Sequence, residues 1–213
     1  MENILKFLIA VGKLKKKKRR GWELRGVKDP ETIADHTFRV AIMAWLLGEK
    51  RKLNINKIIR MALIHDICEI YAGDTTPYDS PLSKKNEKEW KKILNKWPRL
   101  SKTKKEKFFL EKYKKEKEAL KKIIFSLPKN LRKEIKNLWN EYEKGLTREG
   151  RFVRQVDRVE NLLQALEYWE QNKQFEMEPW WIQIEELVDD PILLEFMEVL
   201  PKRFHRKKKK KRK

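Results

Sequence analysis

His65 and Asp66 stand side by side in the run Ile58-Ile-Arg-Met-Ala-Leu-Ile-His-Asp-Ile-Cys-Glu-Ile-Tyr71. A carboxylate inside an apolar run is costly unless something pairs with it. A divalent metal ion is one such partner, and imidazole with carboxylate is a suitable ligand set. The run reads as a buried helix. At about 100° per residue, Glu69 falls azimuthally between His65 and Asp66, one turn further on. Three ionisable groups are therefore expected on one side of one helix end. A metal held there lowers the pKa of bound water, and Glu69 is placed to take a proton from that water.

Two further residues join this pair once the helices that carry them are laid out. Asp29-Pro30-Glu31 is a good helix opening, with an N-cap acid, a first-position proline and an acid at the positive dipole end. Thr32 and Asp35 form a second possible capping box. The helix then runs to about Glu49, with Ile33, His36, Val40, Met43 and Leu47 on one stripe. His36 is thus on the inward face. Such a histidine, taken alone, is more often a satisfied core residue than a ligand. Asn54 caps the helix that carries His65. A loop with two prolines follows, Gly73-Asp-Thr-Thr-Pro77 and Asp79-Ser-Pro81. Ser83 is expected to cap a helix containing Trp90 and Ile93, and a Lys-rich helix spans 102–125. Pro128 starts another helix, which Gly145 ends. A periodic helix over 148–172 carries Asp157 at the edge of its apolar stripe, where a salt bridge to Arg154 or Arg158 is the plain alternative to metal binding. Short helices follow at about 179–187 and 191–199.

Before His36 the chain is basic. Residues 3–16 read as an amphipathic helix (Ile4, Leu5, Leu8, Val11), and Lys15 to Gly26 contains Gly21-Trp22 and Arg25. Trp22 is either a hydrophobic plug or a stacking surface for a base or sugar. An anionic group gathering charge at such a site needs positive charge beside it, for which Arg20, Arg25 and Arg39 are candidates. Arg39 lies about one turn beyond His36.

Composition narrows the class. With 213 residues and 40% apolar content the chain can bury one sizeable core, near the upper end for one domain. Only 7 glycines among abundant Leu, Ile, Lys and Glu favour helices over a barrel or sandwich. The expected architecture is a single all-α domain of eight or nine helices over residues 1–200, with a basic, disordered tail at 201–213. No run of 18 apolar residues is present, which argues against a membrane span, and the charges follow rather than precede the apolar N-terminus, unlike a secretory signal. The single cysteine, Cys68, allows no intramolecular disulfide framework and suggests the cytoplasm. The net charge of +21 is concentrated in Lys13 to Arg20 and Arg203 to Lys213. Such runs are usually solvated. Attraction to phosphorylated substrates or to nucleic acid is the sharper alternative.

The ordered set His36, His65-Asp66, Asp157 resembles the HD-domain metal-dependent phosphohydrolase superfamily. The contexts Glu31-Thr-Ile-Ala-Asp-His36, His65-Asp-Ile-Cys-Glu-Ile-Tyr-Ala-Gly-Asp74 and Gln155-Val-Asp-Arg-Val-Glu-Asn161 resemble its 5′-deoxynucleotidase branch. The resemblance covers about residues 1–195. It implies a helical bundle in which His36, His65, Asp66 and Asp157 bind one divalent metal ion, cobalt, manganese or magnesium. It implies that Glu69 activates water, with Asp74 as a second acid. In some members these two acids and the residue after the second, here Thr75, hold a second cation. It also implies a homodimer, for which Trp169 to Trp181 is a candidate interface. The bacterial member carries Arg directly before Trp, a pair that screens out ribonucleotides. Here Gly21 precedes Trp22, with Arg20 one step back and Arg25 three ahead.

Histidine count discriminates within the superfamily. With His205 in the tail, the folded part holds only His36 and His65, too few for a His-rich binuclear site. The expected function is removal of the 5′-phosphate from (deoxy)nucleoside 5′-monophosphates. The alternatives are another phosphate ester or a nucleoside triphosphate as substrate, or a basic nucleic-acid-binding protein on the same scaffold.

Overall fold

Local capping sets where the site-bearing helices begin. In the computed structural model, which describes residues 1–79, 86, 89, 90, 93, 94, 100–173 and 175–210 (the last six through their backbone alone), the order is α1 (Glu2–Val11), a 3₁₀ turn (Gly12–Lys16), α2 (Arg20–Glu23), α3 (Ile33–Lys50), α4 (Ile55–Ile64), α5 (Glu69–Ala72), α6 (Lys102–Ile124), α7 (Lys129–Lys144), α8 (Arg148–Asn172), α9 (Glu178–Leu187) and α10 (Pro191–Lys210). Eight of these are longer helices and two, α2 and α5, are single turns, so the described residues form an all-α bundle of the expected size. The helix expected from Ser83 lies largely outside the described residues.

Of the two possible openings for α3, the Thr32–Asp35 capping box is the one used. Thr32 Oγ1 accepts from the Asp35 N–H while the Asp35 carboxylate accepts from the Thr32 N–H. Asn54 caps α4 through the Lys57 N–H, and Thr147 caps α8 through the Gly150 N–H. Asp29 and Pro30 stay in the preceding loop. There an isolated antiparallel bridge, Lys18 to Thr32, ties the basic N-terminal segment to the start of α3. The Ile33 N–H donates to Lys17 O at 2.8 Å and the Arg19 N–H to Glu31 O at 3.0 Å.

The core is laid around α8, which contributes Phe152, Val153, Val156, Val159, Leu162, Ala165 and Leu166. α3 and α4 pack on it side by side. They approach closely at Gly48, where a Cβ would fall 2.3 Å from Ile58 Cδ1. α10 closes the bundle with Leu193, Met197, Leu200 and Phe204; the short helix expected at 191–199 thus runs on to Lys210, through the segment expected to be a disordered tail, because Phe204 still packs on the core. A second apolar cluster lies under α5, built from Leu14, Ile67, Cys68, Ile70, the inner face of α6 and Trp139.

The run 58–71 is not one helix. α4 ends at Ile64, residues 65–68 turn, and α5 begins at Glu69. The reason is local. His65 Nδ1 lies 2.6 Å from the Ala62 carbonyl, the group a continuing helix offers to the Asp66 N–H. The bonds that follow, Ile67 N–H to Ile64 O and Glu69 N–H to Asp66 O, have the tighter three-residue spacing.

Candidate metal centre

Donor atoms come together from α3, from the turn that ends α4, and from α8. His36 Nε2, from α3, lies 3.3 Å from His65 Nε2 at the end of α4. Asp66 Oδ2 is 3.2 Å from His65 Nε2 and 3.8 Å from His36 Nε2. Asp157 Oδ1, from α8, is 3.2 Å from His36 Nε2. Donors about 2.1 Å from one cation lie about 3.0–3.4 Å apart; His36, His65 and Asp66, whose donor atoms all lie within 4.8 Å of one another, could hold a divalent metal ion, and Asp157 approaches that group through His36. The two facing ring nitrogens fit it as well. Only one of them can be an acceptor for the other, whereas both can present lone pairs to a cation.

Three of these side chains are held through a second atom, which fixes their orientation. Glu160 Oε2 takes His36 Nδ1 at 2.5 Å, and Ala62 O takes His65 Nδ1. The Tyr142 hydroxyl donates to Asp157 Oδ2 at 2.9 Å, and Asn161 Nδ2 donates to Asp157 Oδ1 at 3.0 Å. The plain alternative for Asp157 does not apply to Arg154, whose guanidinium instead donates to the Tyr142 and Glu143 carbonyls.

The electrostatics follow from burial and proximity. Burial works against the charge on Asp66, but His65, Arg19 and His36 hold it well below the usual carboxylate range. Burial likewise opposes the charge on Asp157, and the His36 bond together with Arg158 outweighs it. Burial and Arg19 push His36 down, yet Glu160 and Asp157 bring it up to about 10. Glu69 goes the other way. Burial, then the charges of Asp66 and Asp74, raise it well above an ordinary glutamate. It is 1% exposed, and its Oε2 has no hydrogen-bond partner.

Gly73, at φ 78°, turns the chain out of α5. Asp74 follows, and its Oδ2 accepts the Arg20 N–H at 2.8 Å. Thr75 comes next, half-buried. Asp74 is near enough to Glu69 for its charge to act on that carboxyl.

None of the three arginines singled out in the sequence reaches the acids with its guanidinium. Arg20 pairs with Asp79 and Glu23. Arg39 is spread along α8 on Glu160, Gln164 and Glu167. Arg25 is buried, donates to Gly21 O and lies 4.7 Å above the Trp180 ring. Burial pulls it down to about 10. The residue that does reach them is Arg19, whose Nη1 donates to Asp66 Oδ2 at 2.9 Å and whose Nη2 donates to Asn161 Oδ1 at 3.2 Å. Its placement depends on the backbone bridge to Glu31, a contact across chain segments that periodicity does not report. Glu160 was legible in principle, because it stands three residues after Asp157 and so shares its helix face.

Trp22 is in the core. It is 2% exposed, stacked on Trp180 with centroids 5.0 Å apart and edge-on to Tyr168 at 5.1 Å. Its Nε1 donates to Glu31 Oε1 at 2.9 Å. The same packing draws Phe175 and Trp180 into the core, with Trp169, Met177 and Trp181 half-buried against it.

A family model described as HD domain matches residues 11–187. The chain belongs to the HD-domain family, whose members are metal-dependent phosphohydrolases. Among its relatives is the 5′-deoxynucleotidase HDDC2 of Xenopus laevis, 39% identical over 172 residues that cover 81% of this chain and 72% of that one. The 5′-deoxynucleotidase HDDC2 of Dictyostelium discoideum is 38% identical over 183 residues, 83% of each chain. Among solved structures, a conserved hypothetical protein from Pyrococcus furiosus superposes with a TM-score of 0.67 at 27% identity, covering 93% of this chain and 99% of that one.

Proposed function

We propose that this chain is a 5′-deoxynucleotidase that hydrolyses deoxynucleoside 5′-monophosphates to nucleoside and phosphate. The observation that carries the reading is the cluster of His36, His65 and Asp66, with Asp157 against His36 and the buried Glu69 carboxyl near enough to feel the charge of Asp66. Relatives that share most of the chain's length and bear that activity as their name support it.

In this reading the four donors hold the divalent metal ion, which when bound withdraws charge from the phosphoryl oxygens and makes water more acidic. Glu69 accepts the proton of the attacking water through its unpartnered oxygen. A bond forms from the water oxygen to phosphorus as the bond from phosphorus to the 5′-oxygen breaks, and the leaving oxygen takes up the proton that Glu69 received from the water. Arg19 supplies fixed positive charge at the edge of the acids, where the phosphoryl oxygens gather charge in the transition state. Asp74 and Thr75, next to Glu69, are the remaining residues for a second cation. The strongly basic surface raises the local concentration of an anionic substrate. The bundle, which α10 closes as far as Phe204, carries this chemistry, and the basic residues after it are an accessory.

The test is phosphate release from a panel of deoxynucleoside monophosphates, ribonucleoside monophosphates and deoxynucleoside triphosphates. Metal-stripped protein is resupplied with cobalt, manganese or magnesium. Release from the deoxy monophosphates alone is expected. Equal release from both monophosphate sets removes the deoxy preference, and no release with any metal overturns the reading.

A homodimer goes with this function, and its interface is the outer face of α3. Phe38, Ile42, Trp45 and Leu46 form an exposed stripe there, Phe38 being 67% and Leu46 58% exposed. On a chain of net charge +21, a second copy can approach closely only where like charge is sparse. Within this stripe the one cation, Arg39, is already paired. Trp45→Glu is expected to halve the mass measured by light scattering. An unchanged mass excludes this face.

Among the described residues no helix is long and apolar enough to cross a membrane. We place the protein in the cytoplasm, in keeping with a lone, buried, free Cys68. Recovery from an extracytoplasmic fraction of cells would contradict that location.

A further inference from the structure

α6 carries none of the metal donors, and most of its lysines face solvent. Lys112 does not. Its side chain is 28% exposed and reaches inward, with Nζ 3.2 Å from Glu116 Oε1 and 4.0 Å from Glu69 Oε1. Glu116, one turn on along the same helix, is 3% exposed. A buried ion pair is a poor device for stability, because the loss of hydration is about as large as the attraction gained. This pair, however, faces a third charge. Burial pulls the Lys112 ammonium down, but Glu116, Glu69, Asp66 and Asp74 together hold it protonated.

Glu69 is accordingly asymmetric. Oε1 has an ammonium beside it, whereas Oε2 is buried with no hydrogen-bond partner. A carboxylate at the end of a two-torsion side chain can present either oxygen to a reacting water, and a fixed cation on one side removes that freedom.

We propose that Lys112, braced by Glu116, is a positioning residue for the reaction: it holds Glu69 by Oε1 and so presents Oε2 to the attacking water. The proposal rests on the reading of Glu69 as the proton acceptor. Lys112 touches neither substrate nor metal in this role. It acts through Glu69, so its effect depends on Glu69 being present.

The experiment is a double-mutant cycle on the full, metal-loaded enzyme with a deoxynucleoside monophosphate. kcat and KM are measured for Lys112→Met, Lys112→Arg, Glu116→Gln and Glu69→Gln, and for the first and third combined with the last. Lys112→Met is expected to lower kcat about 10- to 100-fold and leave KM within about twofold. Lys112→Arg is expected to restore most of kcat, and neither Lys112→Met nor Glu116→Gln should lower kcat further when Glu69 is already Gln. Manganese affinity by calorimetry should stay unchanged in Lys112→Met. An unchanged kcat, an additive loss on top of Glu69→Gln, or a parallel loss of metal affinity overturns the proposal. If Lys112→Met fails to fold, Glu116→Gln decides by the same criteria, with a smaller expected loss. Full activity in Glu69→Gln overturns the proton-acceptor reading, and the positioning role with it. A large loss in Glu69→Gln beside a silent Lys112→Met overturns the positioning role alone.

Discussion

Asp66→Ala lowers phosphate release at least about a thousandfold, a loss of about 4 kcal/mol of transition-state stabilisation. The size follows from the position of the residue. Asp66 Oδ2 lies within 4 Å of both imidazoles, and it also takes the Arg19 guanidinium. Removing it leaves two histidines and an arginine facing one another with one fewer negative charge between them. The remaining set, His36, His65 and Asp157, then has to hold a divalent ion against a more positive surround. Both metal affinity and activity therefore fall, and calorimetric titration of manganese into metal-stripped protein reads the first independently of the second. Helical circular dichroism should change little, because Asp66 lies in the turn between α4 and α5 rather than in the apolar core. Release unaffected by the substitution would remove the cluster from the reaction and bring the basic segments forward as the functional part.

Trp22→Ala is expected to cost about 3–5 kcal/mol of stability, read as the shift in a urea unfolding midpoint. The indole is 2% exposed and fills the space between Trp180, Tyr168 and Phe175. Its loss opens a cavity that a single side chain from α9 cannot close. The Nε1 bond to Glu31 adds a second consequence. Glu31 also accepts the Arg19 N–H through its carbonyl and takes the Tyr168 hydroxyl oxygen with its own N–H. Loosening Trp22 therefore loosens the bridge that delivers Arg19 to Asp66. Trp22→Phe keeps a ring but leaves the Glu31 carboxylate without its donor, an expected loss of about 1–3 kcal/mol. A Trp22→Ala protein of unchanged stability with a raised KM would identify the ring as a substrate-stacking surface.

Residue types and spacing alone determined much of this protein. They marked His65, Asp66 and Glu69, because ionisable groups placed on an apolar helical face need a shared partner, whereas His36 and Asp157 as ligands and Asp74 as a second acid followed only from the resemblance to the HD-domain family. They determined the caps at Asn54 and the alternative box at Thr32, the Gly145 stop, and the all-α bundle, since capping and 3.6-residue periodicity are local properties of the chain. The same locality is why the rest was hidden. An unbroken apolar pattern over 58–71 reads as one helix, and only the bond between the His65 ring and Ala62 O ends α4 at Ile64. Four arginines precede or follow His36 within a few turns, and sequence distance favoured Arg20, Arg25 and Arg39. The backbone bridge from Lys18 to Thr32 selected Arg19 instead. Periodicity shows that Trp22 and the aromatic segment 169–181 have apolar faces to bury, but not that they bury them against each other. It equally predicts an inward stripe on α3 without indicating that the opposite face is apolar and left exposed. Lys112 looked like one more solvent lysine of a charged helix. Its meeting with Glu69, 43 positions earlier, depends on how α6 lies across α5, and such contacts between distant segments exist only in the packed structure.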